Sequence, residues 1–515
     1  MFLADAVAGY VETLGERDFD VPFIALLHSL GYTDVHLTHG PLEFGKDFIA
    51  RHVEDGVEYQ YCFQSKAGDL NVKAWRDVRT QIDSMRYGTV VHPAFDADLP
   101  RRLVLVTTGR LNGFALVEFQ DYNTHEAKKG EPPAELWDFD VLVPQLTDVL
   151  ITGVPVRQRA RTIELWGRLG SGEGTWAELR QYSRPWFATG LSEKERWEHT
   201  LTGAMLAQQA MLAAREDLAA SLTFLLIRRE WENPPSGGTD PGGSPLSVAR
   251  LLFMAHAQGL WETVKHSEPS DEPGTESLDL IVTHPARTSR RNETLSLLGL
   301  WLLGTDASEA AAIADYLEST IERDLAASHL ISDDYATSLL VTCVFLGATH
   351  RDATLRTLLR GAAVWLFDRT EEGHGLPPVG SSADEVVARL LGVPYEHIPQ
   401  NADRSSYAIA VITDLAWIFK YEDLYADLCN DIWALDIIPK LVLPTSATQA
   451  SFIARIEYSR DGSAPAAHHG AVGDDIPAFV AGALFDCLAG WTTHRDRHLP
   501  AILAAIIARA TAPAS

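Results

Sequence analysis

The sequence predicts two architectures in tandem: a mixed sheet flanked by helices over residues 1–155, then a large all-α C-terminal region over 246–515. Three observations carry this. Apolar runs with strand character alternate with helical spacing in the first 150 residues, and strand signals nearly vanish after about residue 155. Between the two, NPPSGGTDPGGSP at 233–245 concentrates Gly and Pro at a density that supports neither helix nor sheet. Residues 156–232 then form a helical connector and 233–245 a linker.

Taken in order, DVPFIALLHSLGY places apolar residues at 23, 24, 26, 27 and 30 and stops at Gly31, an amphipathic helix. Strand-like runs follow at 35–39, 47–53 and 58–67, the last two joined through Glu54, Asp55 and Gly56 as a hairpin. NVKAWRDVRTQIDSM predicts a helix over 71–85. RLVLVTT is a continuous apolar strand ending at Gly109, a helix starts near Asn112, and ELWDF with VLVPQLTDVL supplies a last strand and helix. The order is α, β, β, β, α, β, α, β, α. In the connector, Ser192 and Glu195 have the spacing of a capping box and open one helix running towards Trp231. Beyond the linker come about ten helical stretches, from SLLGLWLLG to PAILAAIIARA, without a fixed-period repeat.

Lys and Arg number 43 against 70 Asp and Glu, a formal charge of −27, which excludes a nucleic-acid coat held by uniform basicity. Residues 66–110 run against that trend, with eight Lys and Arg against five Asp, a net of +3. That excess fits a local basic groove or an ordinary solvated helix face. The cysteines at 62, 343, 429 and 487 lack CxxC spacing, so neither disulfides nor a zinc cluster is expected, and a reducing cytoplasm fits. The N-terminus carries acids where a signal peptide needs basic residues, and the run at 295–304 is too short to span a bilayer; no membrane partner is expected.

The chemistry-bearing residues lie at one end of the predicted hairpin. EFGKDFIA (43–50) opens one strand at Asp47, and CFQSKAG (62–68) ends its partner on Gln64 and Lys66, which share a strand face because they are two apart. A hard divalent cation needs a few oxygen ligands and keeps several waters, so a carboxylate with a neutral amide oxygen beside a lysine can serve phosphodiester hydrolysis. On spacing alone, polar punctuation of a hairpin accounts for the pattern first. GRLGSGEG at 167–174 lacks the GK[ST] of a phosphate loop, and His374, His468 and His469 have no second ligand at metal spacing. The tryptophans at 197, 231, 261, 301, 365, 417 and 433 lie in apolar helical stretches, where core packing is expected.

Over about residues 15–150 these pieces, in this order, resemble the PD-(D/E)xK restriction-endonuclease-like superfamily, and within it the Mrr-like branch, where glutamine replaces the middle acid to give QxK. FDVPFIALLHSLGY is similar to the family's opening helix, EFGKDFIA to its glycine and aspartate turn, CFQSKAG to its QxK strand, WRDVRTQID to the helix that follows, and LVLVTTGRLNGFA and ELWDFDVLVPQL to the later strand–helix pairs. The resemblance implies Asp47 as principal metal ligand, Gln64 as second ligand, Lys66 as catalytic lysine, and Mg2+ or Mn2+ as the ion. It implies Asp20, where the family often has a first-helix glutamate, as a further ligand or water contact, and Gln81 with Arg76 or Arg79 facing the substrate backbone. Glu43 is near enough to Asp47 to be an accessory ligand or a solvated loop acid.

The expectation is an Mg2+-dependent endonuclease cutting DNA, a cytoplasmic prokaryotic defence effector whose helical region senses a trigger, binds a partner subunit or drives homo-oligomer formation. Two alternatives stay open: a non-catalytic scaffold that keeps the fold for nucleic-acid binding or protein docking, and a nuclease for RNA or junctions.

Overall fold

The computed structural model describes residues 2–38, 47–88, 92–153, 159–188, 190–232, 243–266, 279–378, 381–393 and 405–439. Glu43, Cys487, His468, His469, the PAILAAIIARA stretch and most of the Gly/Pro linker lie outside them. The chain forms two compact units. One comprises Met1–Trp166, Leu191–Leu206 and Asp240–Val248; the other comprises Gly167–Gly190, Ala207–Thr239 and Ala249–Ser515. The connector is thereby divided between them.

In the first unit, α1 (Phe2–Glu12) and α2 (Glu16–Ser29) precede a five-stranded mixed sheet in the spatial order β1 (Thr33–Leu37), β2 (Phe48–Glu54), β3 (Val57–Lys66), β4 (Arg101–Thr107), β5 (Glu135–Trp137). The first three strands pair antiparallel and the last two join in parallel, through α3 (Val72–Tyr87) and α4 (Phe114–Lys128); α5 (Phe139–Gly153) follows. The β2–β3 turn takes two residues, Asp55 (φ 49°) and Gly56 (φ 81°). Both positive φ values match the twist of a tight hairpin, and such a turn fixes the register to Phe48 opposite Phe63.

Strand alternation sorts the side chains into two layers. Phe48, Phe63 and Trp137 meet Phe23 of α2 on one face, with ring centroids 5.1–6.3 Å apart. Ile49, Cys62, Leu103 and Leu105 pack with Trp75, Val78 and Ile82 of α3 and Phe119 and Tyr122 of α4 on the other.

Helix α1 lies outside the elements expected above, although Ala6, Val7, Tyr10 and Val11 are buried at helical spacing. Gly9 is required there, because a Cβ would run into the Trp197 ring. The helix α2 begins four residues before the predicted DVPF start; only Phe19 of its first turn is buried, so the apolar stripe is legible only from the next turn on.

Next come α6 (Arg159–Gly170), α7 (Trp176–Ser183), α8 (Glu193–Leu212) and α9 (Glu216–Glu232). The Ser192–Glu195 capping box forms, with the Ser192 N–H donating to Glu195 at 2.9 Å and the Glu195 N–H donating to Ser192 Oγ at 3.3 Å. The single helix expected from it divides at Ala214, whose φ of 53° is incompatible with continuation. GRLGSGEG closes a helix and follows no strand, unlike a phosphate loop.

The second unit's helices include α10 (Pro245–Val264), α11 (His284–Leu302), α12 (Ala307–Arg323), α13 (Ala336–Ala348), α14 (Asp352–Glu371), α15 (Ala383–Leu390), α16 (Tyr407–Ile418) and α17 (Glu422–Ala434). In this unit α11 packs against α9, α12 and α13. Trp197 and Trp261 are buried as expected, but Trp301, Trp417 and Trp433 are 51%, 40% and 87% exposed. These three correct the expectation of core packing: an apolar helix leaves part of its circumference on the surface, and each lies on that part. Among the described residues no helix is long and apolar enough to cross a membrane.

Candidate active site

Asp47 immediately precedes β2 and is fixed on both sides: its N–H donates to Phe63 O (2.9 Å), and its carbonyl accepts from Thr38 N–H (2.8 Å). Extending the β2–β3 register by one residue sets Asp47 opposite Gln64. Asp47 Oδ2 accepts from the Ser65 backbone N–H at 2.7 Å and from Gln64 Nε2. The hairpin thus brings Asp47 and Gln64 together, and Lys66, the last residue of β3, follows two residues on.

Gln64 is 2% exposed. With Nε2 engaged by Asp47, its Oε1 is buried and has no hydrogen-bond partner. A buried acceptor left unpaired costs on the order of 1–3 kcal/mol. Turning the amide over would set its oxygen against the Asp47 carboxylate, which is repulsive unless a positive charge lies between them. Either way one oxygen lacks a counterpart, which a divalent cation held by Asp47 and Gln64 Oε1 would supply. The residues therefore fit a hard cation.

Lys66 Nζ lies 3.0 Å from Glu16 Oε1, with the lysine side chain 22% and the glutamate 50% exposed. Glu16 is the carboxylate that the sequence reading missed. It stands in the first turn of α2, four residues before Asp20 and so on the same helix face; Asp20 is half-buried.

The turn after Lys66 is held by the end of β4. Thr107 Oγ1 donates to Gly68 O at 2.7 Å, Thr108 Oγ1 accepts from Gly68 N–H at 2.9 Å, and Leu70 N–H donates to Arg110 O at 2.8 Å. Asp69 accepts from the Arg110 backbone N–H and the Asn112 side chain, both at 2.8 Å. Those hydrogen bonds, the Arg110 one first, hold its carboxyl below the usual range. The Thr-Thr-Gly segment is therefore the brace of the Lys66 turn.

Two of the expected substrate-facing residues of α3, Arg76 and Arg79, meet α4. Arg76 forms a two-pronged pair with Glu118 at 2.6 and 3.2 Å. Arg79 lies over the Tyr122 ring at 5.2 Å. Gln81 flanks the buried stripe of α3, with its Oε1 buried and without a hydrogen-bond partner.

Among the described residues no three His, Cys, Asp or Glu side chains cluster so as to hold a metal; the candidate centre combines one carboxylate with an amide. No family model, curated protein or solved structure matches the chain.

Proposed function

We propose that the chain is a metal-dependent endonuclease of the restriction-endonuclease-like, Mrr-like kind, hydrolysing DNA phosphodiester bonds at the Asp47–Gln64–Lys66 edge of the mixed sheet. The observation that carries the reading is the meeting of Asp47 with Gln64 across the hairpin, with a buried unpaired amide oxygen beside the carboxylate. Asp47 and Gln64 Oε1 would hold the cation, Mg2+ or Mn2+, which would supply neutralisation of phosphate charge and a lowered pKa for a water.

The chain's own groups do the rest. The Ser65 N–H fixes the Asp47 carboxylate in orientation. Lys66 offers a positive charge to the phosphate oxygens or to the attacking water. Glu16 holds the lysine in place and contributes the negative charge that a glutamine in the QxK position withholds, so the site carries two carboxylates against one lysine.

The resemblance to a nuclease family supports a prokaryotic defence role in the cytoplasm, with the helical unit as receiver of the trigger or site of self-association. The charge of −27 favours one competing reading, a docking scaffold without catalysis.

Plasmid nicking in Mg2+ or Mn2+ separates them. The wild type nicks DNA, while Asp47→Ala and Lys66→Ala lose nicking and retain the wild-type circular dichroism spectrum. Wild-type rates in both variants sink the proposal. A wild type inert towards DNA and RNA with either ion favours the scaffold, and cleavage of RNA alone reassigns the substrate.

A further inference from the structure

The helix α11 buries Thr288, Ser289, Arg290, Arg291, Asn292, Glu293 and Thr294 in succession. A helix so polar is usually solvated, and enclosing it is unfavourable unless its groups find partners. Most of Arg290 does. Its guanidinium lies over the rings of Trp176 and Tyr335 at 4.7 and 4.3 Å, and Nη1 donates to Glu293 Oε2 at 3.2 Å and to Ser338 Oγ at 3.3 Å. Ser338 Oγ in turn donates to Glu293 Oε2 at 2.7 Å.

Asn292 differs. It is 3% exposed, and its Oδ1 is buried without a hydrogen-bond partner in the protein. It borders a cavity whose other polar walls are Ser289, Ser338 and Thr342 and whose apolar walls are Ala327, Leu330, Leu339 and Leu358. All eight residues are buried. The space open to the centre of a water molecule is about 10 Å³, the threshold for holding one.

Hydrogen accounting decides what the cavity takes. The Ser338 hydroxyl hydrogen is committed to Glu293, and one of its lone pairs receives Arg290. The Thr342 hydroxyl hydrogen is committed to Ser338 O at 2.9 Å. Asn292 Oδ1 is an acceptor only. Three of the four polar walls therefore offer lone pairs, so the occupant must be a donor. A monovalent cation is disfavoured, because no carboxylate lines the space and the Arg290 charge sits 3.3 Å from Ser338 Oγ.

We infer that this cavity binds a single structural water that bridges α11 and α13 inside the helical unit. One O–H goes to Asn292 Oδ1 and the other to the Ser338 or Thr342 oxygen. The water oxygen accepts from the Ser289 hydroxyl, whose hydrogen rotates to suit. Three bonds are the usual complement of a buried water. The site is a fixed part of the core, and it is independent of any activity of the first unit.

A high-resolution crystal structure of the full chain tests this directly. A single ordered peak within about 3.2 Å of Asn292 Oδ1 is expected; absence of density there overturns the inference. Ser289→Ala gives a second test with an opposite sign for each case. If the water is bound, loss of its donor lowers the melting temperature of the helical unit by about 2 °C. If the cavity is dry, the substitution removes a hydroxyl that has no role in it, and an unchanged or raised melting temperature overturns the inference as well.

Discussion

Gly109 is the point where the brace behind Lys66 is tightest, and Gly109→Ala tests whether that brace positions the turn. A Cβ at this position would stand 2.5 Å from the Gly68 carbonyl oxygen and closer still to Gly68 C and Asp69 N. These are backbone atoms with no rotamer to change, so the 66–70 turn must move away from residues 107–110. Overpacking of this kind costs about 1–3 kcal/mol. The displacement also strains the Thr107–Gly68, Gly68–Thr108 and Leu70–Arg110 hydrogen bonds, each worth about 1 kcal/mol. With two of the three lost, the sum is about 3–5 kcal/mol.

Hydrogen exchange read peptide by peptide is the suitable assay, because a chain with two compact units need not unfold in a single step. Protection of the Gly68 and Leu70 amides should fall with that free energy. Gly167→Ala, a helical position with nothing within 4 Å of the added Cβ, should be neutral or stabilising by up to about 1 kcal/mol. Exchange at Gly68 and Leu70 unchanged within about 0.5 kcal/mol in Gly109→Ala would refute the reasoning, since no free energy below the named costs relieves a clash with backbone.

Other outcomes follow from the same structure. Glu16→Gln should leave stability within about 1 kcal/mol, because its ion pair with Lys66 is partly exposed, yet lower nicking at least tenfold; equal nicking would remove Glu16 from the site. Asp333→Ala should destabilise the helical unit by about 3 kcal/mol or more in urea melts, because its buried carboxylate accepts from Ser406 Oγ and the Tyr407 and Ala408 N–H groups at the start of α16; a loss below about 1 kcal/mol would contradict that. Burial pushes the His256 imidazole down to about 4. An unfolded imidazole titrates near 6.5, so between pH 6.5 and 4 the unfolded chain binds the extra proton, and stability present above pH 6.5 is lost as pH falls, by roughly 3 kcal/mol. Melts of wild type and His256→Leu at pH 7 and 4.5 should show the gap moving in favour of the variant at the lower pH; a constant gap would contradict this.

What the sequence made legible follows from how local each signal is. The Asp55–Gly56 turn and the alternation around it fix the β2–β3 register, so the meeting of Asp47 and Gln64 could be read in advance. Glu16 could not be, because it meets Lys66 from 50 positions away as an exposed acid outside any apolar stripe. The roles of Thr107 and Thr108 depend on a turn in another segment, and their own sequence says only that a strand ends. In α11 only SLLGLWLLG carries an apolar helical signal; the TSRRNET half that precedes it has none. Tertiary packing encloses that half, and hydrophobic periodicity carries no signal for buried polar networks.

Titration of Mn2+ into the full chain, followed by isothermal calorimetry or electron paramagnetic resonance, tests most directly whether the Asp47–Gln64 edge is a cation site. One ion bound per chain is expected in the wild type and none at that site in Asp47→Asn. A wild type that binds no ion, or an Asp47→Asn variant that binds it equally well, would contradict it.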